Sequence, residues 1–341
     1  MLRERNLPLD GLRGISILLI VVGHLGLGHI VPGGFGVTIF FALSGYLITS
    51  ILLGDMAAER FSLANFYRKR VARLLPSFAV VYGIMLLVTC IWFPASNYSW
   101  QGVLMQIFYL ANYASVYAIP CAVVGAGIVW TLAIEEQFYI LFPMVLKRVH
   151  HVDARRMVAW MVALCLVALG MRIFYRIVCD KPPIYTYNLT ECRFDAILWG
   201  CALAVIHARI PEWWRQIARP RAFLFGVGLI LVSLMIRDPN FRETLRYSMQ
   251  SFGILFVIAF CVDETWFTGG WRLLRAVLSW PPLVYVGVIS YTLYLVHMFF
   301  FKVFPPLPWH IGPVLVFCVS FGYSVASYHL LEAPVQRLIR K

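Results

Sequence analysis

The sequence is short of charge. Only 13% of its 341 residues are Asp, Glu, Lys or Arg, where a soluble globular domain carries about 25%. With 61% hydrophobic residues and a mean hydropathy of +0.78, too little polar surface remains to coat a globule, so the apolar surplus must face lipid. Acidic residues are scarcest: 16 Asp and Glu against 29 Lys and Arg leave a formal net charge of +13. The basic residues stand in short clusters between apolar runs and form no continuous basic face. That excludes a nucleic-acid partner and fits loops beside anionic headgroups or anionic substrates. None of the eight Cys belongs to a CxxC pair or a Cys/His group of zinc spacing, so no metal site is expected. Cys179 and Cys192 flank one loop and could pair there. Internal repeats, low-complexity tracts and soluble segments are all lacking, and residues 1–341 read as one membrane domain.

What is present is a series of about eleven apolar runs, some shorter than the roughly 20 residues a span needs. Arg68, Lys69, Arg70 and Arg73 form one basic cluster, and Lys147, Arg148, Arg155 and Arg156 another. The positive-inside rule places both in the cytoplasm, so an even number of crossings separates them. Three apolar runs lie between. The run 100–118 holds Gln101, Gln106 and Asn112 and is expected to be re-entrant or interfacial. The fold class expected is therefore all-α, a polytopic bundle of about ten transmembrane helices with both termini cytoplasmic. Arg3 and Arg5 precede the first apolar run, which lacks a small-residue cleavage site and reads as a retained span and not a signal peptide. The segment 209–221 and the tail with Arg337, Arg340 and Lys341 agree with that orientation. Arg237, Arg242 and Arg246 fall on the wrong side of it.

An ionisable group inside a span costs several kcal/mol unless paired or hydrated. The first run carries Asp10, Arg13 and His24. In a continuous helix Arg13 and His24 share one face, roughly 16 Å apart along the axis. A core histidine with satisfied hydrogen bonds is the plainer reading of His24, but the aligned arginine and the neighbouring Gly23 and Gly26 favour a catalytic one. Arg70 and Arg73, at i and i+3, suit phosphate oxygens; the plainer reading is a topology signal. Glu135 and Glu136 lie side by side in an apolar helix, as members of a structural ion pair or of an active site. Arg193 and Asp195 at the start of another run suggest a structural pair. Ser290, Tyr294 and His297 share a helix face, as substrate ligands or as interhelical hydrogen-bond formers. Glu332 and Pro334 end the last run, where a cap or an ion pair is expected.

In order along the chain, these pieces resemble the acyltransferase-3 family of membrane acyltransferases, which includes bacterial polysaccharide O-acetyltransferases. The resemblance runs through Asp10-Gly-Leu-Arg13-Gly with His24, the stretch Gly34 to Ser44-Gly45-Tyr46, and Arg70-x-x-Arg73. It continues through Trp130-Thr-Leu-Ala-Ile-Glu135-Glu136-Gln137-Phe-Tyr139, Arg193-Phe-Asp195, Ser290-Tyr-x-x-Tyr294-x-x-His297 and Glu332-Ala-Pro334. Each piece is weak alone; the ordered set is specific.

The resemblance implies an enzyme of the bacterial inner membrane. It would move an acyl group, acetyl by default, from cytoplasmic acyl-CoA to a hydroxyl of a carbohydrate or glycolipid such as surface polysaccharide. Acyl-CoA is then a co-substrate, and no cofactor is held permanently. The resemblance assigns catalysis to His24 and Arg13, with Glu135 and Glu136 beside them as candidates, and the donor to Arg70 and Arg73. Asp10, Ser44, Tyr139, Ser290, Tyr294 and His297 are candidates for substrate contacts. His24 would act as general base or form a transient acyl-imidazole. Some family members add an extracytoplasmic hydrolase-like domain; this chain ends soon after its last run, so it is expected to act directly or through a separate extracytoplasmic transferase. The rival class is a transporter or flippase that turns over no acyl-CoA.

Overall fold

The computed structural model describes residues 6–92, 99–120, 123–304, 308 and 311–340. Arg3, Arg5, Cys121 and Lys341 lie outside them. Among the described residues the fold is all helix, without strands. The order is α1 (Leu7–Val22), α2 (Gly33–Ala57), α3 (Leu63–Trp92), α4 (Trp100–Ile107), α5 (Ala111–Val116), α6 (Val129–Val149), α7 (Ala154–Ile173), α8 (Pro183–Asn188) and α9 (Thr190–Arg209). It continues with α10 (Pro211–Ile217), α11 (Pro220–Met235), α12 (Pro239–Glu243), α13 (Leu245–Val262), α14 (Trp271–Leu278), α15 (Pro281–Val288), α16 (Ser290–Val303), α17 (Gly312–Ser327) and α18 (Ala333–Arg340). Prolines open α8, α10, α11 and α12, where a missing N–H is harmless. Asp153 caps α7 by accepting from the Arg156 amide at 3.1 Å.

Seven helices among the described residues are long and apolar enough to cross a bilayer, and nine segments if the bent pairs α10–α11 and α15–α16 each count as one span. Helix α9 has span length, 20 residues, but carries Glu191, Arg193 and Asp195 near its start. It is not among the helices apolar enough to cross, so the described residues give seven to nine spans where about ten were expected. Outward faces are apolar, as lipid requires: on α7, Trp160, Leu164 and Val167 recur at helical spacing with about half of each exposed (52%, 48% and 54%). The run 100–118 is no span. It breaks into α4, of 8 residues, and α5, of 6. Gln106 and Asn112 turn inward while Gln101 stays exposed, and buried Gln106 accepts from the Tyr82 hydroxyl at 2.6 Å.

The chain forms two compact units. The first comprises Met1–Ser16, Gly34–Arg60 and Ile134–Gly287; the second comprises Ile17–Gly33, Phe61–Ala133 and Val288–Lys341. In the first, α2 and α9 cross at backbone contact. A Cβ on Gly45 would lie 2.0 Å from the Ile197 carbonyl oxygen, and one on Gly200 2.0 Å from that of Ala42, so the crossing requires glycine on both helices. The same unit holds a buried ion pair, Arg172 to Asp195 at 2.8 Å, with Arg172 0% and Asp195 1% exposed. Asp195 thus pairs across to α7 and not with Arg193, its neighbour in sequence. Arg193 instead lies over the Tyr247 ring at 4.1 Å and donates to Thr38 at 3.4 Å. Cys179 and Cys192 are free thiols, so the pairing considered for them does not form.

In the second unit, Glu332 is buried at the foot of α17. It accepts from Ser77 at 3.1 Å and from Thr292. The last run therefore ends on a carboxylate satisfied by two hydroxyls.

Candidate active site

Helix α1 carries Asp10 and Arg13 in its first half, both half-buried. The glycines around them exist for packing. A Cβ on Gly11 would lie 1.7 Å from the Leu278 carbonyl oxygen, and one on Gly287 2.0 Å from that of Asp10. Backbone therefore meets backbone where α1 passes the α14–α15 segment, which fixes the main chain that carries Asp10 and Arg13. In the same unit Ser44 of α2 is buried and donates to Glu135 Oε1 of α6 at 2.7 Å. Glu136 is half-buried and Tyr139 is 1% exposed. Gln137, between them, accepts from Thr190 at 2.6 Å. The first unit thus brings Ser44 and Glu135 together and holds Asp10, Arg13, Glu136 and Tyr139 as well.

The second unit holds His24, Arg70, Arg73, Ser290, Tyr294 and His297. Helix α1 ends at Val22 and passes into a π turn over Gly23–Leu27, with non-helical backbone at Leu25 and Gly26. His24 sits in that turn. Gly26 adopts φ +106°, a conformation that favours glycine, and Gly23 lies against the backbone of Gly33. Both glycines therefore serve the turn. The straight helix expected from Arg13 to His24 gives way to a π turn, a feature that recurs at functional sites.

His24 as a residue is exposed on the turn, its ring is partly covered, and its Nδ1 lies 2.9 Å from Nε2 of His297. His297, on α16, is fully buried. Its Nδ1 faces the carbonyl oxygens of Tyr294, at 2.8 Å, and Leu293, at 3.2 Å. Tyr294 anchors the same stretch: its hydroxyl accepts from Thr131 at 2.7 Å and donates to the Ile128 carbonyl at 3.0 Å. Ser290 is buried at the first position of α16. Arg70, half-buried, and Arg73, exposed, stand one turn apart on α3, so the guanidiniums project from one helix face.

A single imidazole presented on a π turn, its other nitrogen engaged by a buried histidine, is a built arrangement for a base or nucleophile. Residues 6–329 match a family model described as an acyltransferase domain. The chain belongs to the acyltransferase-3 family. It is 29% identical over 360 residues to the O-acetyltransferase OatA of Staphylococcus aureus, covering 99% of this chain and 58% of that protein. It is 30% identical over 373 residues to a Bacillus subtilis protein named "Putative peptidoglycan O-acetyltransferase YrhL", covering 98% of this chain and 55% of the relative. The chain spans less than three fifths of the length of these relatives. No solved structure matches it.

In this acyltransferase-3 chain the hydroxyl partners were the hardest residues to find by sequence. Ser77 and Thr292 on Glu332, and Thr131 on Tyr294, are buried and look like ordinary small residues in apolar runs. Their only signal is a hydroxyl inside a span, where a polar group seeks a partner on another helix.

Proposed function

We propose that this integral membrane protein transfers an acyl group, acetyl by default, from acyl-CoA at the cytoplasmic face to a hydroxyl of a carbohydrate or glycolipid. Its setting is the bacterial cytoplasmic membrane, with both termini inside. Family membership and relatives named O-acetyltransferases support the reaction class. The observation that carries the assignment is the His24 imidazole presented on its π turn and held at Nδ1 by His297.

Neutral His24 takes the proton from the acceptor hydroxyl as that oxygen attacks the thioester carbonyl. The carbon–sulfur bond then breaks, and the coenzyme A thiolate leaves with the proton from the imidazolium. Arg13 supplies positive charge for the donor or the oxyanion. Glu135 and Glu136 supply the negative charge that balances a cation in apolar surroundings. Arg70 and Arg73 take the coenzyme A phosphates, which planar guanidiniums bind in bidentate fashion.

The test uses the purified chain in lipid nanodiscs, with acetyl-CoA and a soluble glycan acceptor, and reads released coenzyme A thiol and acetylated product. His24→Ala should lose about 100-fold or more in turnover while remaining monodisperse. Arg70→Ala with Arg73→Ala should raise the KM for acetyl-CoA about tenfold or more, since each charged hydrogen bond contributes about 1.5–3 kcal/mol. Turnover by His24→Ala at the wild-type rate removes the assignment. The bends of 62° and 72° in the two broken helix pairs are the observation that favours the transporter reading. Movement of a solute across vesicles with no release of coenzyme A thiol would establish that reading instead.

A further inference from the structure

The hydrogen positions on the two histidines follow from their partners. A backbone carbonyl oxygen can only accept. Since Nδ1 of His297 faces two such oxygens, at 2.8 and 3.2 Å, it carries the proton. A neutral imidazole has one N–H, so Nε2 of His297 is a bare acceptor. That nitrogen lies 2.9 Å from Nδ1 of His24. Two lone pairs at that distance repel, so Nδ1 of His24 must carry a proton and donate it. The lone pair of neutral His24 is then on Nε2. Ring geometry agrees. The planes are 12° apart and the centroids 5.2 Å apart, close to the nitrogen–nitrogen distance plus the two ring radii. The rings therefore meet edge to edge, as an N–H···N bond requires, and not face to face.

We propose that His297 is a positioning residue: it sets the tautomer of His24, so that Nε2 of His24 is the nitrogen that takes the acceptor proton or the acyl group. This rests on the assignment of His24 under Proposed function. The chain of partners runs from the Leu293 and Tyr294 carbonyls, through His297, to His24. It is anchored on a fully buried ring on a helix whose Tyr294 is itself tied to Thr131 and Ile128. In the reverse tautomer the protonated nitrogen of His24 would face the acceptor hydroxyl and could not accept from it. When Nε2 does take a proton, the imidazolium keeps its Nδ1–H on His297 Nε2, and the stronger bond to a charged donor favours that state. Which nitrogen is protonated is set by the bond the other makes.

Two substitutions separate this role from packing. In His297→Gln the amide oxygen can occupy the place of Nε2 and still accept from His24. In His297→Asn the shorter amide reaches only the place of Nδ1, and the acceptor is lost. Turnover of acetyl-CoA in nanodiscs should fall about 100-fold in His297→Asn, through kcat, with KM for acetyl-CoA within about twofold. His297→Gln should recover to within about tenfold of wild type. Independently, nitrogen-15 shifts of labelled histidine in the intact chain should show His24 with a protonated Nδ1 and a bare Nε2, and His297→Asn should populate both tautomers. A protonated Nε2 on His24 in the wild-type chain overturns the proposal, and so does His297→Asn with wild-type kcat. If His297→Asn does not fold, the wild-type spectrum alone decides. An inactive His24→Ala beside a fully active His297→Asn sinks only the positioning role; an active His24→Ala sinks the functional assignment beneath it.

Discussion

Asp195 belongs to a stretch, Arg193-Phe-Asp195, that accompanies the family resemblance, and the structure gives it a partner in place of a substrate. Asp195→Ala removes one side of a buried ion pair and leaves the Arg172 guanidinium 0% exposed without its counter-charge. Breaking a buried pair in this way costs about 3–5 kcal/mol. The remaining ligands of Arg172 are the Cys192 and Thr244 carbonyls and the Ser248 hydroxyl. They continue to accept from it, so the lower end of that range, about 3 kcal/mol, is expected. Asp195→Asn keeps an acceptor for Arg172 and loses the charge, and should cost about 1.5–3 kcal/mol. Equilibrium unfolding of the purified chain in mixed micelles measures both, and acetyl-CoA turnover per folded molecule measures the rest. The expected order is wild type above Asp195→Asn above Asp195→Ala in stability, with turnover per folded molecule little changed. A stable Asp195→Ala, within about 1 kcal/mol of wild type, would refute the ion-pair reasoning, and a stable but inactive variant would move Asp195 into the chemistry.

Gly45→Ala forces a methyl to within 2.0 Å of the Ile197 carbonyl oxygen; it should cost about 1–3 kcal/mol by overpacking, read as a lower unfolding midpoint in the same micelles. Glu332→Gln keeps an oxygen that accepts from Ser77 and Thr292 and should stay within about 1 kcal/mol of wild type. Glu332→Ala leaves both hydroxyls unmatched and should cost about 2 kcal/mol or more; equal stability of the two variants would reject this account of the carboxylate.

Much of the fold is legible because lipid and charge leave few choices. The run 100–118 has hydropathy enough to suggest a span, yet Gln106 and Asn112 would each face hydrocarbon in one. Both are buried in protein instead, and the segment breaks into two helices too short to cross. The bend between α15 and α16 is hidden for the converse reason. Leu283 to Phe304 reads as one apolar run with a few polar residues set into it, and hydropathy records composition, not direction. The 72° turn falls at Ile289, just after Gly287 packs its backbone on Asp10, a contact with a residue far away in sequence.

The same limit governs the charged and polar groups. Their cost inside a span marks them as paired, so Asp195, Glu332, His24 and His297 all stand out in the sequence, but cost does not name the partner. Adjacency suggested Arg193 for Asp195, whereas tertiary packing supplies Arg172, 23 residues away. His24 and His297 are 273 residues apart, and helical spacing could only align each with residues of its own helix. Once the two rings are in contact, elementary hydrogen-bond accounting assigns every proton on both. The chemistry of the site therefore depends less on which residues lie within the bilayer, which composition shows, than on which nitrogen faces which oxygen, and only the folded chain decides that.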